Sequence, residues 1–135
     1  MVYAVIDTNI FVSAFITKNA TASTRRVINS LFAGKIKPLY NDEIIEEYSE
    51  VLHRSKFHLA DKDIQRLLYF IQINGIDSSR FPYDGDIPDE DDRVFYEVAL
   101  SEEDSFLVTG NLKHFPKTPK VVTASQMMEI LDYGE

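Results

Sequence analysis

The sequence predicts an α/β fold, a three-layer α/β/α sandwich around a mostly parallel central sheet. The alternation of short apolar segments rich in β-branched residues with longer amphipathic segments predicts it. A second observation concerns the number of domains: no Gly, Ser or Pro-rich linker is long enough to separate two of them. A chain of 135 residues has the usual size of one domain and can bury a core without crosslinks. We therefore expect a single domain over residues 1–135.

Local signals define the elements of the first half of the chain. The apolar run "YAVID" predicts a first strand, and Gly34 marks the end of a helix. Asn41 is a favourable N-cap, and the acids behind it suit the first turn of a helix. The predicted elements are a strand at 3–7, helices at 9–17 and 22–34, a strand at 35–40, and helices at 41–54 and 61–74.

The second half begins with a loop at residues 78–92, where two prolines and a glycine predict a connection within the domain. The run "SFLVTG" predicts a buried strand, and Thr123 is an N-cap for the final helix. The predicted elements are strands at 76–81, 105–110 and 120–122, and helices at 89–101 and 124–131.

Composition limits the classes of function. The chain contains no cysteine, which excludes disulfides and thiolate metal sites and fits a reducing compartment. No secretory leader and no apolar run of about 18 residues is present, so we expect a cytoplasmic protein without a membrane span. The net charge of −8 argues against a protein that coats nucleic acid. It leaves room for an enzyme that gathers carboxylates around divalent cations.

Asp7 ends the first predicted strand, and it has two interpretations. An acid directly before a helix is a common N-cap. In a parallel α/β sheet, however, ligands bind beyond the carboxyl ends of the strands, where Asp7 would lie. Gly110 and Asn111 end the "FLVT" strand in the same way, and Thr109 and Asn9 lie near enough to orient ligands or water.

Two helices contribute further acids. On the helical wheel of residues 41–54, Glu47 borders the apolar stripe, whereas Glu43, Glu46 and Glu50 point to solvent. Residues 88–92 carry four consecutive acids after a proline. Asp89 suits an N-cap and Glu90 the helix dipole, and an acidic helix start alone explains most of this cluster.

On the wheel of the helix at 89–101, Asp91 falls within the inward stripe and Asp92 at its edge, so the wheel does not choose between them. Asp7, Glu47 and one of these two acids can converge at one edge of the sheet. Mutual repulsion would raise their pKa values, and Mg²⁺ or Mn²⁺ would relieve it, since hard cations take oxygen ligands. Such a site activates water for attack on a phosphodiester, the chemistry of metal-dependent nucleases.

The segments "VIDTNIFVSAF", "NDEIIEEYSEVLHR" and "DEDDRVFYEVALSEEDSFLVTGNLKHF" resemble the PIN domain family. The resemblance runs from Tyr3 to about Val122, and it is greatest to small single-domain PIN proteins proposed as toxins of toxin–antitoxin pairs. It implies an α/β/α fold with three or four acids that bind Mg²⁺ or Mn²⁺. It also implies cleavage of single-stranded RNA, a homodimer, and an antitoxin protein that covers the acidic cleft.

Carried over by position, the resemblance assigns Asp7 as the first acid and Glu47, before a large residue, as the second. The third stands seven residues before Ala99, which selects Asp92 and leaves Asp91 as the fallback. The fourth position departs from the family, because Asn111 stands where Asp is common. An amide brings no charge, so a second metal would bind more weakly. Asp104 precedes the strand and should lie at its opposite end.

The leading hypothesis is therefore a metal-dependent endoribonuclease that uses Asp7, Glu47 and Asp92, assisted by Asn111. The alternative is a PIN-like module that binds protein or RNA without cleaving it. A phosphotransferase with Asp7 as nucleophile ranks third, because Asn9 stands where that chemistry usually has a second acid. His114 is expected at the surface or as a cap. Several basic residues are either phosphate contacts or plain surface charges, namely Arg25, Arg26, Lys35, Lys37, Arg54 and Lys56.

Overall fold

The computed structural model describes residues 1–134. Five strands form the sheet: β1 (Val2–Ile6), β2 (Ile36–Tyr40), β3 (Ile76–Asp77), β4 (Ser105–Val108) and β5 (Val121–Val122). Six α-helices accompany them: α1 (Thr8–Ile16), α2 (Ser23–Phe32), α3 (Asp42–Leu52), α4 (Asp61–Asn74), α5 (Arg93–Leu100) and α6 (Ala124–Tyr133). Three 3₁₀ turns complete the elements: Ser55–Phe57, Glu90–Asp92 and Leu112–His114.

The strands form one sheet in the order β3-β2-β1-β4-β5, and every neighbouring pair is parallel. The predicted α/β/α fold is confirmed. From β1 the chain adds β2 and β3 on one side and then crosses to add β4 on the other side of β1. The boundary between β1 and β4, where Ile6 pairs with Val108, is therefore the point at which strand order reverses. Ligand sites of open α/β sheets lie beyond the carboxyl ends of the strands at this point.

The central strands explain the apolar runs of the sequence. In β1, Ala4, Val5 and Ile6 are at most 1% exposed, because strands of a parallel sheet are covered on both faces. Beneath the carboxyl edge, three aromatic rings from three helices meet. The ring centroid of Tyr48 lies 5.1 Å from that of Phe11 and 6.0 Å from that of Phe95. These contacts join α1, α3 and α5, the helices that begin at or carry the predicted site residues.

Most predicted elements agree with the observed ones to within two or three residues. The helix at Asp61–Asn74 has the predicted bounds, and Asn41 caps α3 by accepting a hydrogen bond from the N–H of Ile44 at 2.9 Å. Thr123 caps α6 in the same way. Gly34 adopts φ +82°, the left-handed conformation that ends α2 just after its last turn. None of the helices within residues 1–134 is long and apolar enough to cross a lipid bilayer.

Two predicted elements are shorter than expected. The strand predicted at 76–81 pairs only over Ile76–Asp77, after which the N–H of Ser78 makes a last bond to Tyr40 O. The chain then leaves the sheet because Arg80 turns towards buried Glu97. The helix predicted from residue 89 begins as a 3₁₀ turn, and α5 starts at Arg93. The Asp89 carboxylate accepts from the N–H of Asp91 and caps this turn.

The loop at residues 78–92 is fastened to the body of the protein by ionic contacts. Arg80 donates to Glu97 at 2.7 Å and to Glu43 of α3 at 2.8 Å, and Glu97 also accepts from the N–H of Tyr83 at 2.9 Å. Arg93 donates to the carbonyl of Tyr83 at 2.6 Å. The contacts of Arg80 also tie α3 to α5, because Glu43 belongs to α3 and Glu97 to α5.

Candidate active site

Asp7 directly follows β1, and its backbone N–H donates to Val108 O at 2.9 Å, so the β1–β4 pairing fixes its position. The residue is 6% exposed. It stands at the N-cap position of α1, but its side chain makes no capping hydrogen bond to that helix. Its Oδ2 atom instead accepts a hydrogen bond from Thr109 Oγ1 at 2.7 Å. The carboxylate is therefore oriented by the residue that follows β4.

The environment of Asp7 is unfavourable for a negative charge. Burial raises the pKa of its carboxyl from 3.8 to about 6. The hydrogen bond from Thr109 opposes this rise, and the charge of Asp92 adds to it. A carboxylate that is ionised at neutral pH in such surroundings gains free energy when a cation approaches.

Glu47 reaches the same region because its neighbour Tyr48 is anchored. The Tyr48 hydroxyl, fully buried, donates a short hydrogen bond to the carbonyl of Ile6, the residue before Asp7. Glu47 is half-buried, and burial and the nearby charges of Glu50 and Asp91 raise the pKa of its carboxyl. By contrast, Glu46 on the same turn is exposed.

Asp92 is the last residue before α5, and its side chain is 17% exposed. Burial and the charge of Asp89 raise the pKa of its carboxyl, and His114 opposes the rise. The Nδ1 atom of His114 lies 3.2 Å from Asp92 Oδ2. Asp91 is exposed and does not line the cavity of Asp7. It lines a neighbouring acidic cavity with Glu43, Glu46 and Glu50, and Glu47 lies between the two cavities and lines both.

Asn111 lies at the carboxyl end of β4, and its side chain is exposed. Its backbone N–H donates to Thr109 Oγ1 at 3.0 Å, while Gly110 donates its N–H to Asn9 Oδ1 at 3.1 Å. These bonds hold the segment after β4 against the segment after β1. Asp104 lies before β4, in a separate cavity with Lys120, as expected from its place in the sequence.

Asp7, Glu47, Asp92 and Asn111 line one open cavity of about 330 Å³ beyond the carboxyl ends of β1 and β4. Thr8 also lines it, and the buried hydroxyl of Thr8 has no hydrogen-bond partner. Its polar and aromatic wall also includes Asn9, Arg54, Phe57, Asp89, Phe95 and His114. The structure thus brings together four residues from four distant stretches of the chain.

The donor set suits Mg²⁺ or Mn²⁺ in kind, because carboxylate and amide oxygens are the ligands that hard cations take. The site is not preassembled. Within residues 1–134 no three His, Asp or Glu side chains form a group that could hold a metal ion. Asp7 bonds to Thr109 and Asp92 lies against His114 instead. The orphaned hydroxyl of Thr8 beside Asp7 is one further oxygen in this wall.

An all-parallel α/β sheet with an acidic cavity at the point of strand-order reversal defines the class of this protein: an α/β protein whose cleft is lined by oxygen donors. The particular family follows from comparison with known families. The chain belongs to the PIN domain family, whose model matches residues 3–113. PIN domains are generally nucleases, and they typically use divalent metals. Neither the curated proteins nor the solved structures gave a match.

Thr8 and Phe57 line the cavity, although neither is among the predicted site residues. The orphaned hydroxyl of Thr8 depends on tertiary surroundings that a sequence does not display. Phe57 carried a usable signal, because it lies among basic residues in "HRSKF", directly after the acidic helix. Aromatic residues interleaved with basic ones are typical of contacts to single-stranded nucleic acid.

Proposed function

We propose that this protein is a metal-dependent endoribonuclease that cleaves single-stranded RNA. Asp7, Glu47 and Asp92 would bind Mg²⁺ or Mn²⁺, and Asn111 would assist as an uncharged ligand to water or phosphate oxygen. The observation that carries the proposal is the single cavity that these four side chains share at the carboxyl ends of β1 and β4. Membership of a family of nucleases supports it.

The bound ion would neutralise charge on the phosphodiester and lower the pKa of the attacking water. The residues around it have separate tasks. Thr109 orients Asp7 through its hydroxyl, and His114 holds Asp92. Asp7, held by burial at a pKa of about 6, is mostly ionised at neutral pH and therefore ready to bind a cation. Asn9 fixes the backbone at Gly110, which keeps Asn111 at the rim of the cavity.

Cleavage of a labelled single-stranded RNA in Mn²⁺ tests the proposal when site variants are paired with matched neighbours. Asp7→Asn, Glu47→Gln and Asp92→Asn should abolish cleavage. The matched controls change the same chemical groups outside the cavity of Asp7 and should leave cleavage unchanged. They are Asp104→Asn, Glu46→Gln and Asp91→Asn. Equal activity of a site variant and its matched control would contradict the assignment of that residue. Cleavage that persists without divalent metal would contradict the mechanism.

We also propose that residues 1–135 form a single domain that acts in the cytoplasm as the toxin of a toxin–antitoxin pair. The toxin would associate as a homodimer. An antitoxin protein would inhibit it by covering the cleft. The support is the likeness in "VIDTNIFVSAF" and "LVTGN" to small single-domain PIN proteins proposed as toxins. Induced expression should arrest growth, and Asp7→Asn should relieve the arrest. A short neighbouring reading frame for a DNA-binding protein should suppress it, and light scattering should give twice the mass of the chain.

A second function, binding of protein or RNA without cleavage, is favoured by two observations. The acids of the cavity do not form a preassembled metal group within the described residues, and the fourth family position is Asn111. The two functions are separated by one comparison. If the parent protein and Asp7→Asn are equally inactive in Mn²⁺ yet both retain RNA, the binding module is the correct description.

A further inference from the structure

The cavity is also lined by an aromatic ring and a guanidinium from one short segment of the chain. Phe57 and Arg54 both line the cavity that contains Asp7, Glu47 and Asp92. Arg54 directly precedes the 3₁₀ turn Ser55–Phe57 that follows α3, and its carbonyl accepts a hydrogen bond from the N–H of Phe57 at 3.1 Å. Both side chains therefore reach the cavity from one short segment.

Phe57 has no part in the hydrophobic core. It is partly buried, but it is absent from the buried cluster and from the partly buried residues packed against that cluster, whereas nearby Leu59 packs there. Its ring contact is with Lys56, whose Nζ lies 5.1 Å from the ring centroid. A ring on a cavity wall that is not used for core packing offers a flat face on which a nucleobase can stack.

Arg54 has the charge that a phosphate requires at this otherwise acidic cleft. It is the guanidinium among the described residues lining the cavity, and its positive charge lowers the pKa of Glu47. Its side chain is 49% exposed, and its ion pair with Glu50 is loose at 4.0 Å. Exposed ion pairs of this kind contribute little to stability, so Arg54 can exchange Glu50 for a phosphate at small cost.

We propose that Phe57 and Arg54 form a subsite for one unpaired nucleotide beside the metal cleft, with the base stacked on Phe57 and its phosphate bound by Arg54. The inference rests on the proposed ribonuclease function and deepens it. A base can stack on Phe57 only after it leaves its neighbours, so the subsite selects single-stranded over duplex RNA. Arg54 offsets the repulsion between the phosphates and the carboxylates of the cavity.

The test combines removal of the ring with removal of the base. Binding of a ten-nucleotide single-stranded RNA is measured by fluorescence anisotropy in Ca²⁺, and cleavage in Mn²⁺, with a series of RNAs that each carry one abasic position. In the parent protein, one abasic position should weaken binding by about 5- to 150-fold, the range for a base stacked on an aromatic ring. Intact RNA should bind Phe57→Ala more weakly than it binds the parent protein, by a similar factor. An abasic nucleotide at the sensitive position should not weaken binding to Phe57→Ala any further.

Further variants separate stacking from folding and from charge. Phe57→Tyr should behave as the parent, and Phe57→Leu, which keeps bulk but not a flat face, should behave as Phe57→Ala. Phe81→Ala removes a 61% exposed ring elsewhere and should change nothing. Arg54→Gln should reduce the slope of log affinity against log salt by about one and keep the abasic pattern. Arg66→Ala on α4 is the control, and it should leave both the slope and the abasic pattern unchanged.

The outcomes distinguish this subsite from the ribonuclease function itself. If the parent protein binds RNA without cutting it, and abasic sensitivity still depends on Phe57, the subsite stands and the nuclease assignment fails. If the parent cleaves RNA and Phe57→Ala keeps the parent's affinity and abasic pattern, the subsite is wrong and the nuclease assignment stands. If the parent does not bind RNA at all, the subsite is wrong.

Discussion

The Tyr48 hydroxyl donates a hydrogen bond to the main-chain carbonyl of Ile6, and this one bond joins α3 to the tip of β1. Glu47 and Asp7 are the chain neighbours of these two residues, so the bond fixes the backbone positions of two acids that line the same cavity. Burial raises the pKa of the Tyr48 hydroxyl well above 10, which keeps it protonated as a donor.

Tyr48→Phe should therefore weaken both the fold and the metal site. Loss of the buried hydrogen bond should lower the free energy of unfolding by about 1–2 kcal/mol, and Mn²⁺ affinity should fall because α3 is no longer fastened. Urea unfolding and calorimetric Mn²⁺ titration measure the two effects. Tyr40→Phe is the matched control, since the Tyr40 hydroxyl donates to Gln72 O at an exposed position. Equal losses of stability and of Mn²⁺ affinity in both variants would mean that the hydrogen bond to Ile6 does not specifically support the metal site.

Asp7→Asn should stabilise the metal-free protein at neutral pH. The folded-state pKa of about 6 lies above the ordinary 3.8, so between these values the folded protein binds a proton that the unfolded chain does not. The free energy of unfolding of the parent therefore falls as pH rises from about 4 to 6, by up to about 3 kcal/mol. The variant should not show this fall. Thermal unfolding in EDTA at pH 4 and pH 7 measures it.

Addition of Mn²⁺ should reverse that order. The parent protein should gain thermal stability with ion concentration because the ion binds the folded state, and Asp7→Asn should not. Asp104→Asn is the control in both media and should follow the parent. A parent protein that shows no stabilisation by millimolar Mn²⁺ would contradict the assignment of Asp7 as a ligand.

Thr109→Val should weaken metal binding in a pH-dependent way. The Thr109 hydroxyl lowers the pKa of Asp7, so without it that pKa should rise above 6 and protons should compete with the ion at higher pH. Loss of a partner that orients a ligand typically costs about tenfold or more in affinity. Mn²⁺ titration between pH 5.5 and 8 should show the largest deficit at the acidic end. Thr109→Ser keeps the hydroxyl and should restore parental binding.

Asn111→Asp should strengthen divalent-metal binding, because it adds a carboxylate to the wall of the cavity. It should also destabilise the metal-free protein, since one more carboxylate then repels Asp7 and Asp92. Calorimetric titration gives the number and affinity of bound ions, and unfolding in EDTA gives the cost. Unchanged affinity would mean that the exposed side chain at position 111 does not reach the ion.

Glu97→Gln should loosen the loop at residues 78–92. Although burial alone would raise the pKa of Glu97, the N–H of Tyr83 and the Arg80 guanidinium hold it below its usual value. The contribution of Glu97 to stability is therefore present above its ordinary pKa of 4.5 and lost as pH falls below it. The variant should lose about 2 kcal/mol at pH 7 and less at pH 3. Urea unfolding at both pH values measures the difference.

The sequence predicts the fold well because hydrophobic periodicity and capping are local. The strand of β1 is an uninterrupted apolar run, as a central parallel strand requires, and Asn41 and Thr123 mark helix starts by their own side chains. The boundaries that failed depend on distant partners. The strand predicted at 76–81 ends early because Arg80 finds Glu43 and Glu97, which are far away in the chain.

The same distinction separates the site residues. The helical wheel placed Glu47 at the edge of its stripe, and the structure has it on the cavity wall. The wheel predicts an inward position for Asp91, which is wrong because the chain forms a 3₁₀ turn there rather than an ideal α-helix. The turn exposes Asp91 and half-buries Asp92. The orphaned hydroxyl of Thr8 arises from burial by other segments, which no local pattern encodes. Repulsion among converging acids predicts the raised pKa of Asp7, but burial is its main cause and the charge of Asp92 a smaller one.

Both margins of the sheet end in strands of only two residues, Ile76–Asp77 and Val121–Val122. Such short edge strands present few unpaired amide and carbonyl groups to which a strand of another chain can bind. Copies that associate must therefore contact one another through helices and loops, and the growth of fibres by strand addition is disfavoured. The acidic cleft lies beyond the carboxyl ends of the longer inner strands β1 and β4.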